Sequence, residues 1–280
     1  MPYLHLCAVG LRTHRASRYT MHVTAIQPDI AWEDKPANFE RVRRLVAAAR
    51  PEAGGLVVLP EMFATGFSMD VARIHEGPQR EAEAFLAGLA CECGVYVIGG
   101  VANLGPDGRG RNEAVLFGPD GGELARYAKM HPFSFGSETE HYSPGDRVVT
   151  SPLGEFTAAV TVCYDLRFPE LYRAAVLAGA DLLVVIANWP APRAAHWKTL
   201  LAARAIENQA YAVGVNRCGN DPKHAFSGHS QIIGPRGTVL ADAGEHEGSV
   251  TAALDLESLK AYRREFPALA DIRKDLMRER

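Results

Sequence analysis

The residue order predicts an α/β fold built on mixed sheets, and three observations carry that prediction. Short apolar runs of strand length alternate with segments whose apolar residues recur at helical spacing. Turn sequences join some of the runs directly, so antiparallel hairpins stand among the parallel units. About eleven strand segments emerge, which is many for one open sheet. Two packed mixed sheets with helices outside, a four-layer α-β-β-α sandwich, is therefore the expected arrangement.

In chain order, His22–Gln27 reads as a strand and Lys35–Arg50 as an amphipathic helix. Leu56–Leu59 is a short, wholly apolar strand that ends on Pro60 and Glu61. Gln79–Cys93 reads as a helix and Val95–Ala102 as a strand. Asn112–Phe117 and Glu123–Ala128 flank Pro119-Asp120-Gly121-Gly122, a turn that predicts a hairpin. Phe156–Val162 is a strand, and Glu170–Ala178 a helix stopped by Gly179. Leu182–Ala187 is again a buried strand, followed by a helix from Ala194 to Gln209 and a strand at Tyr211–Asn216. Ser230–Ile233 and Thr238–Ala241 form a hairpin around Gly234-Pro235-Arg236-Gly237, and Val250–Leu254 is the last strand before a polar segment.

No linker, repeat or low-complexity stretch divides residues 21–280, which are expected to form a single domain. The first twenty residues carry Arg12, Arg15 and Arg18 without an acid or a long apolar stretch, a poor secretory signal. Residues 1–20 are read as a disordered extension or a start assigned too early, with Met21 opening the first strand. A chain of 280 residues can bury roughly three quarters of its unfolded surface, so it needs no disulfide staples. Five cysteines, an odd number, then fit free thiols in a reducing compartment, and the cytoplasm is expected. The net charge of −3 argues against a nucleic-acid partner, and no apolar run approaches bilayer length. No zinc-ligand spacing is present, and Gly99-Gly100 lacks dinucleotide-loop spacing, so no metal and no cofactor is expected.

Three apolar strands end on a residue that does not belong in a core. Leu56–Leu59 leads to Glu61, Ala158–Val162 to Cys163, and Leu183–Ala187 to Asn188. Sites in α/β folds gather at the carboxyl ends of strands. A glutamate after four aliphatics must be paired, protonated or functional, because an unpaired buried charge is costly. A thiol at a strand end, entering a turn before a helix, meets free backbone N–H groups that can receive an oxyanion. Lys129 and Glu138 stand in loops, and either one alone reads as solvated surface. Cys163 alone reads as a small buried hydrophobe.

Taken together, Glu61, Lys129, Glu138 and Cys163 change that reading. The pattern Leu59-Pro60-Glu61, Lys129-Met130-His131, Glu138 ahead of Tyr142-Ser143-Pro144-Gly145, and Cys163-Tyr164-Asp165-Leu166-Arg167-Phe168-Pro169-Glu170 resembles the nitrilase superfamily of carbon–nitrogen hydrolases. The resemblance runs over residues 22–267 and is strongest to the omega-amidase branch. The stretches 60–67, 187–193 and 203–209 carry that finer likeness. Met130 and Pro132 depart from the usual pattern beside Lys129 without replacing any of the four groups.

The resemblance implies a nitrilase-like sandwich, a homodimer, and an amidohydrolase acting on a small-molecule amide. In it Cys163 is the nucleophile, with its pKa lowered by Lys129. Glu61 is the proton shuttle, Lys129 and the Tyr164 N–H hold the oxyanion, and Glu138 supports Lys129. The implied substrate is the terminal monoamide of a 2-oxo dicarboxylate, such as 2-oxoglutaramate or 2-oxosuccinamate. Arg167 and Arg193 are candidate cations for its distal end, Asn188 is a further polar contact, and Phe67, Phe133, Trp189 and Trp197 are candidate walls. An N-carbamoyl amidohydrolase, an aliphatic amidase or a nitrilase would use the same four groups, and a silent binding protein could keep the fold. A cysteine–histidine scheme through His131 or His196 is a further alternative.

Overall fold

The computed structural model describes residues 19–273 and 275. The expected extension at 1–20 lies outside these residues except for Tyr19 and Thr20, and Thr20 is already the first residue of strand β1 (Thr20–Gln27). Helix α1 (Lys35–Ala49) and strand β2 (Leu56–Val58) follow, then the short helix α2 (Val71–Ile74), helix α3 (Glu81–Cys93) and strand β3 (Tyr96–Leu104). Strands β4 (Gly110–Phe117) and β5 (Glu123–Ala128) make the expected hairpin, closed where Gly118 N–H donates to Gly122 C=O at 2.8 Å. Then come the short helix α4 (Glu138–His141), strands β6 (Thr150–Leu153) and β7 (Phe156–Val162), and helix α5 (Pro169–Leu177). Strand β8 (Leu182–Ala187), helix α6 (Ala194–Asn208) and strand β9 (Tyr211–Asn216) complete the second parallel unit. The rest is β10 (Cys218–Asn220), β11 (Ala225–Ser227), β12 (Gln231–Ile233), β13 (Val239–Asp242), β14 (Gly248–Asp255) and helix α7 (Leu256–Glu265).

Two six-stranded sheets result, in the orders β14-β1-β2-β3-β4-β5 and β13-β12-β9-β8-β7-β6, with β10 and β11 as a separate pair. Both are mixed: β1-β2-β3 and β7-β8-β9 are parallel, and their neighbours run antiparallel. Side-chain alternation shows why the sheets stack. Leu182, Val184 and Ile186 of β8 join Val23, Ala25, Leu56 and Val58 in the core between the sheets. Leu183, Val185 and Ala187 point the other way, under α5 and α6. Val57 of β2 likewise packs outward with residues of α1 and α3. Strands buried on both faces read as unbroken apolar runs, as these do. The four-layer sandwich is the architecture present.

The fourteen strands among the described residues exceed the eleven expected, and the polar segment after the last strand contains α7. β6 carries Pro152 and sits at the sheet edge, where a missing N–H is tolerated. β10 and β11 are three residues each, too short for alternation to register. α7 buries only Leu256 and Leu259, so its apolar stripe is thin, and Asp255 caps its N-terminus.

Candidate active site

The site forms where the carboxyl ends of β2, β5, β7 and β8 meet, so both sheets contribute to it. The chain leaves β2 through Leu59 and Pro60, and Glu61 then turns away from the sheet, with the following Met62 at φ 42°. β3 passes against this turn so closely that a Cβ on Gly100 would lie 2.5 Å from Glu61 Cα and Met62 N. Only glycine fits there. Lys129, one residue beyond β5, is tied at its backbone: its N–H donates to Asn112 C=O at 2.8 Å, and Gly145 N–H donates to its carbonyl at 2.8 Å. Cys163 sits at φ 50°, a left-handed conformation that a non-glycine residue adopts at a cost. Such a turn between a strand and a helical segment lifts the thiol out of the sheet.

The side chains converge into one buried polar centre. Lys129 Nζ lies 3.0 Å from Glu61 Oε1 and 2.8 Å from Glu138 Oε2, and all three groups are buried. Asn112 Nδ2 donates to Glu61 Oε1 at 2.6 Å and to Glu138 Oε1 at 2.8 Å. Asn188 N–H donates to Glu61 Oε2 at 2.8 Å, and its side-chain amide donates to Glu61 C=O at 2.6 Å. Phe133 N–H donates to Glu138 Oε2 at 2.5 Å. The Cys163 thiol faces this centre and reaches Asn188 C=O at 3.9 Å.

Burial alone would lower the Lys129 pKa, but the carboxylates Glu138 and Glu61 outweigh it and hold the ammonium well above its ordinary value. Glu138 is pushed up, chiefly by burial and further by Glu61, with Lys129 opposing. The Cys163 thiol stands well above the ordinary cysteine value, through burial first and Glu61 second, while Lys129 pulls it down. Lys129 does act on the thiol in the expected direction, but burial and Glu61 outweigh it, so the net shift is upward. Burial and the facing Glu61 thus favour the thiol over a preformed thiolate. Proton transfer from sulfur must therefore accompany its use as a nucleophile.

A cavity of about 370 Å³ opens onto Cys163 and Lys129. Phe67, Phe133, Tyr164, Arg167, Asn188, Trp189 and Arg193, all named from sequence, line it. Trp197 does not: it is packed in the core beneath α6, its indole N–H donating to His229 C=O at 2.7 Å. Arg167 stacks over Trp189 at 4.9 Å and Arg193 over Phe133 at 5.5 Å, neither with an acidic partner among the described residues. Tyr164 lies in the first turn of the helical segment Cys163–Arg167, where backbone N–H groups point out of the turn. His131 and His196 do not line the cavity: His131 bonds Asp165 at 2.9 Å, and His196 faces Arg167.

Sequence reading passed over two residues that build the site. Asn112, at the third position of β4, bridges both glutamates, yet in sequence it is an ordinary polar strand residue. Asp165 is fully buried and accepts from Val162 N–H, His131 N–H and Tyr127 OH, tying the cysteine turn to the lysine loop. Its place two residues after Cys163, within a turn, was the available signal. The loop carrying Asp221, Lys223 and His224 between β10 and β11 also borders the cavity and was not anticipated.

Comparison with known proteins agrees with this geometry. Residues 22–264 match the model of the carbon–nitrogen hydrolase family. The chain is 40% identical over 92% of its length to the omega-amidase YafV of Yersinia enterocolitica, covering 99% of that protein. It is 33% identical to the 2-oxoglutaramate amidase of Bacillus subtilis, over 91% of this chain and 98% of that one. Among solved structures, a CN-hydrolase superfamily protein of Xanthomonas campestris with an arsenic adduct in its active site superposes with a TM-score of 0.84 at 32% identity, over 90% of this chain and 97% of that one. A fold, a buried Glu-Lys-Glu centre beside a cysteine, and relatives matched from end to end lead to one conclusion: the chain belongs to the carbon–nitrogen hydrolase family, as an amidohydrolase of its omega-amidase branch.

Proposed function

We propose that the protein hydrolyses the terminal amide of a small 2-oxo dicarboxylate monoamide, 2-oxoglutaramate or 2-oxosuccinamate, to the dicarboxylate and ammonia. The observation that carries this reading is the cavity itself. Its floor presents the Cys163 thiol and the Lys129 ammonium, with Glu61 bonded to that ammonium behind them, and its aromatic walls hold two arginines that have no acidic partner among the described residues. An amide at the floor and a carboxylate at the far end complement that arrangement. The amidase relatives named above support the same substrate class.

In this reading Glu61 takes the thiol proton as Cys163 sulfur attacks the amide carbon, and the oxyanion forms between Lys129 Nζ and Tyr164 N–H. Collapse breaks the C–N bond, and Glu61 passes its proton to the leaving nitrogen, which departs as ammonia. Glu61 then removes a proton from water, which attacks the thioester and releases the carboxylic acid and the thiol. Glu138 holds Lys129 in place, Arg167 and Arg193 receive the distal carboxylate, and Phe67, Phe133, Trp189 and Asn188 shape the passage between. The working form is a homodimer in the cytoplasm that needs no cofactor, nucleic acid or membrane.

The test is ammonia release from 2-oxoglutaramate, succinamate, glutamine, an N-carbamoyl amino acid and a nitrile, with wild type and Cys163→Ala. Turnover concentrated on the oxo-acid amide and abolished in the variant is the expected result. Cys163-dependent turnover of another substrate only would overturn the assignment of the pocket while leaving the chemistry. No turnover of any substrate would favour a binding role.

A further inference from the structure

Asn112 occupies an uncommon position: one amide nitrogen reaches two buried carboxylates, Glu61 at 2.6 Å and Glu138 at 2.8 Å. An amide NH2 has two hydrogens, so each carboxylate takes one. The amide oxygen Oδ1 is buried and has no partner among the described residues, which ordinarily destabilises a fold. Turning the amide over would set that oxygen against both carboxylates, which is worse. The orientation is thus imposed by the two acids. The backbone carbonyl of the same residue accepts from Lys129 N–H at 2.8 Å. Asn112 therefore touches each of the three charged members of the centre, from a strand held on both sides by β3 and β5.

We propose that Asn112 is a positioning residue that keeps Glu61 and Glu138 on opposite sides of Lys129, and keeps Glu61 free of its proton until the thiol supplies one. The inference rests on Glu61 being the proton acceptor in the reading above. Without Asn112, Glu61 keeps only Lys129 and the Asn188 N–H, and Glu138 only Lys129 and the Phe133 N–H. Like charges short of donors in a dry site favour uptake of a proton. A proton resident on Glu61 would leave Cys163 without a base. The titratable groups facing the centre are Glu61 after β2, Lys129 after β5, Glu138 and Tyr142 on and after α4, and Cys163 after β7.

Asn112→Leu tests this, because it keeps the shape, removes the donor and adds no charge. Two pH profiles are read: kcat with the best substrate, and alkylation of Cys163 by iodoacetamide, followed at that residue by peptide mass. The alkylation arm does not depend on which substrate is correct. The expected result is a kcat lower by about 10- to 100-fold, as for loss of a hydrogen bond to a charged group. KM stays within about twofold, and the acid limb of both profiles moves to higher pH. A lower kcat with unmoved limbs would mean a merely structural residue and overturn the proposal, as would an unchanged kcat. If Asn112→Leu does not fold, Asn112→Ser, with one donor and no charge, is read against the same outcomes. Glu61→Gln separates the two layers of argument. It should slow alkylation and leave only the rise with ionisation of the thiol itself at higher pH, and an unchanged rate and limb there would overturn Glu61 as the base, and this inference with it.

Discussion

Lys129 shows how much a single buried charge can carry. Its ammonium is the cation shared by two carboxylates in a centre where all three side chains are shielded from water. Removing one partner of such a set leaves uncompensated charge, which destabilises by about 3–5 kcal/mol. Lys129→Met should accordingly lower the unfolding free energy by about that amount at neutral pH, measured by urea titration. The loss should shrink as pH falls and the glutamates take up protons; a loss independent of pH would speak against the shared-charge account. Glu61 and Cys163 were legible from sequence because each interrupts or ends an apolar run, where a polar group demands a reason. Lys129 and Glu138 were legible only through the whole pattern, since charged loop residues are common. Asn112 was not legible, because its role depends on two acids brought together from positions 51 residues before and 26 residues after it. The direction of the Cys163 shift escaped for a related reason: sequence shows the lysine but not the depth of burial or the facing carboxylate that outweigh it.

At the scale of elements, the strands and helices that build the sandwich were readable from periodicity, while the edges and short pieces were not. Edge strand β6 and the pair β10–β11 depend on neighbours rather than on their own pattern. The approach of β3 to the turn after β2 is an element-level device with a direct consequence for the site. At Gly100 an added methyl would meet backbone atoms of Glu61 and Met62 rather than a movable side chain. Gly100→Ala should therefore force β3 and the Glu61 turn apart. We expect a stability loss of about 1–3 kcal/mol, as for other overpacked sites, and a fall in kcat of at least tenfold. A variant with normal thermal unfolding and normal kcat would show that the contact has slack the geometry does not reveal.

Across the whole molecule, neither sheet holds a complete site. Glu61, Lys129 and Asn112 come from the first sheet and its loops, and Cys163 and Asn188 from the second. The core between the sheets thus sets the distance between thiol and carboxylate, and activity reports on docking as well as on folding. The sandwich itself was legible because strands buried on both faces cannot hide their apolar runs. That the first sheet is completed from the far end of the chain was not, because strand pairing over such a separation leaves no local mark.

That completion has a consequence for synthesis. β14 lies beside β1, in antiparallel register from Thr20–Asp255 to Gln27–Gly248. A chain interrupted after Glu247 would contain Glu61, Lys129, Glu138 and Cys163 yet leave β1 as a bare edge, with open N–H and C=O groups. Such fragments should aggregate on expression and show no amidase activity in the soluble fraction; a soluble, active fragment would refute this. For a ribosome making the protein, chemistry and solubility thus arrive together, only once β14 has been made, and a chain interrupted before it is left to the quality-control machinery rather than to metabolism.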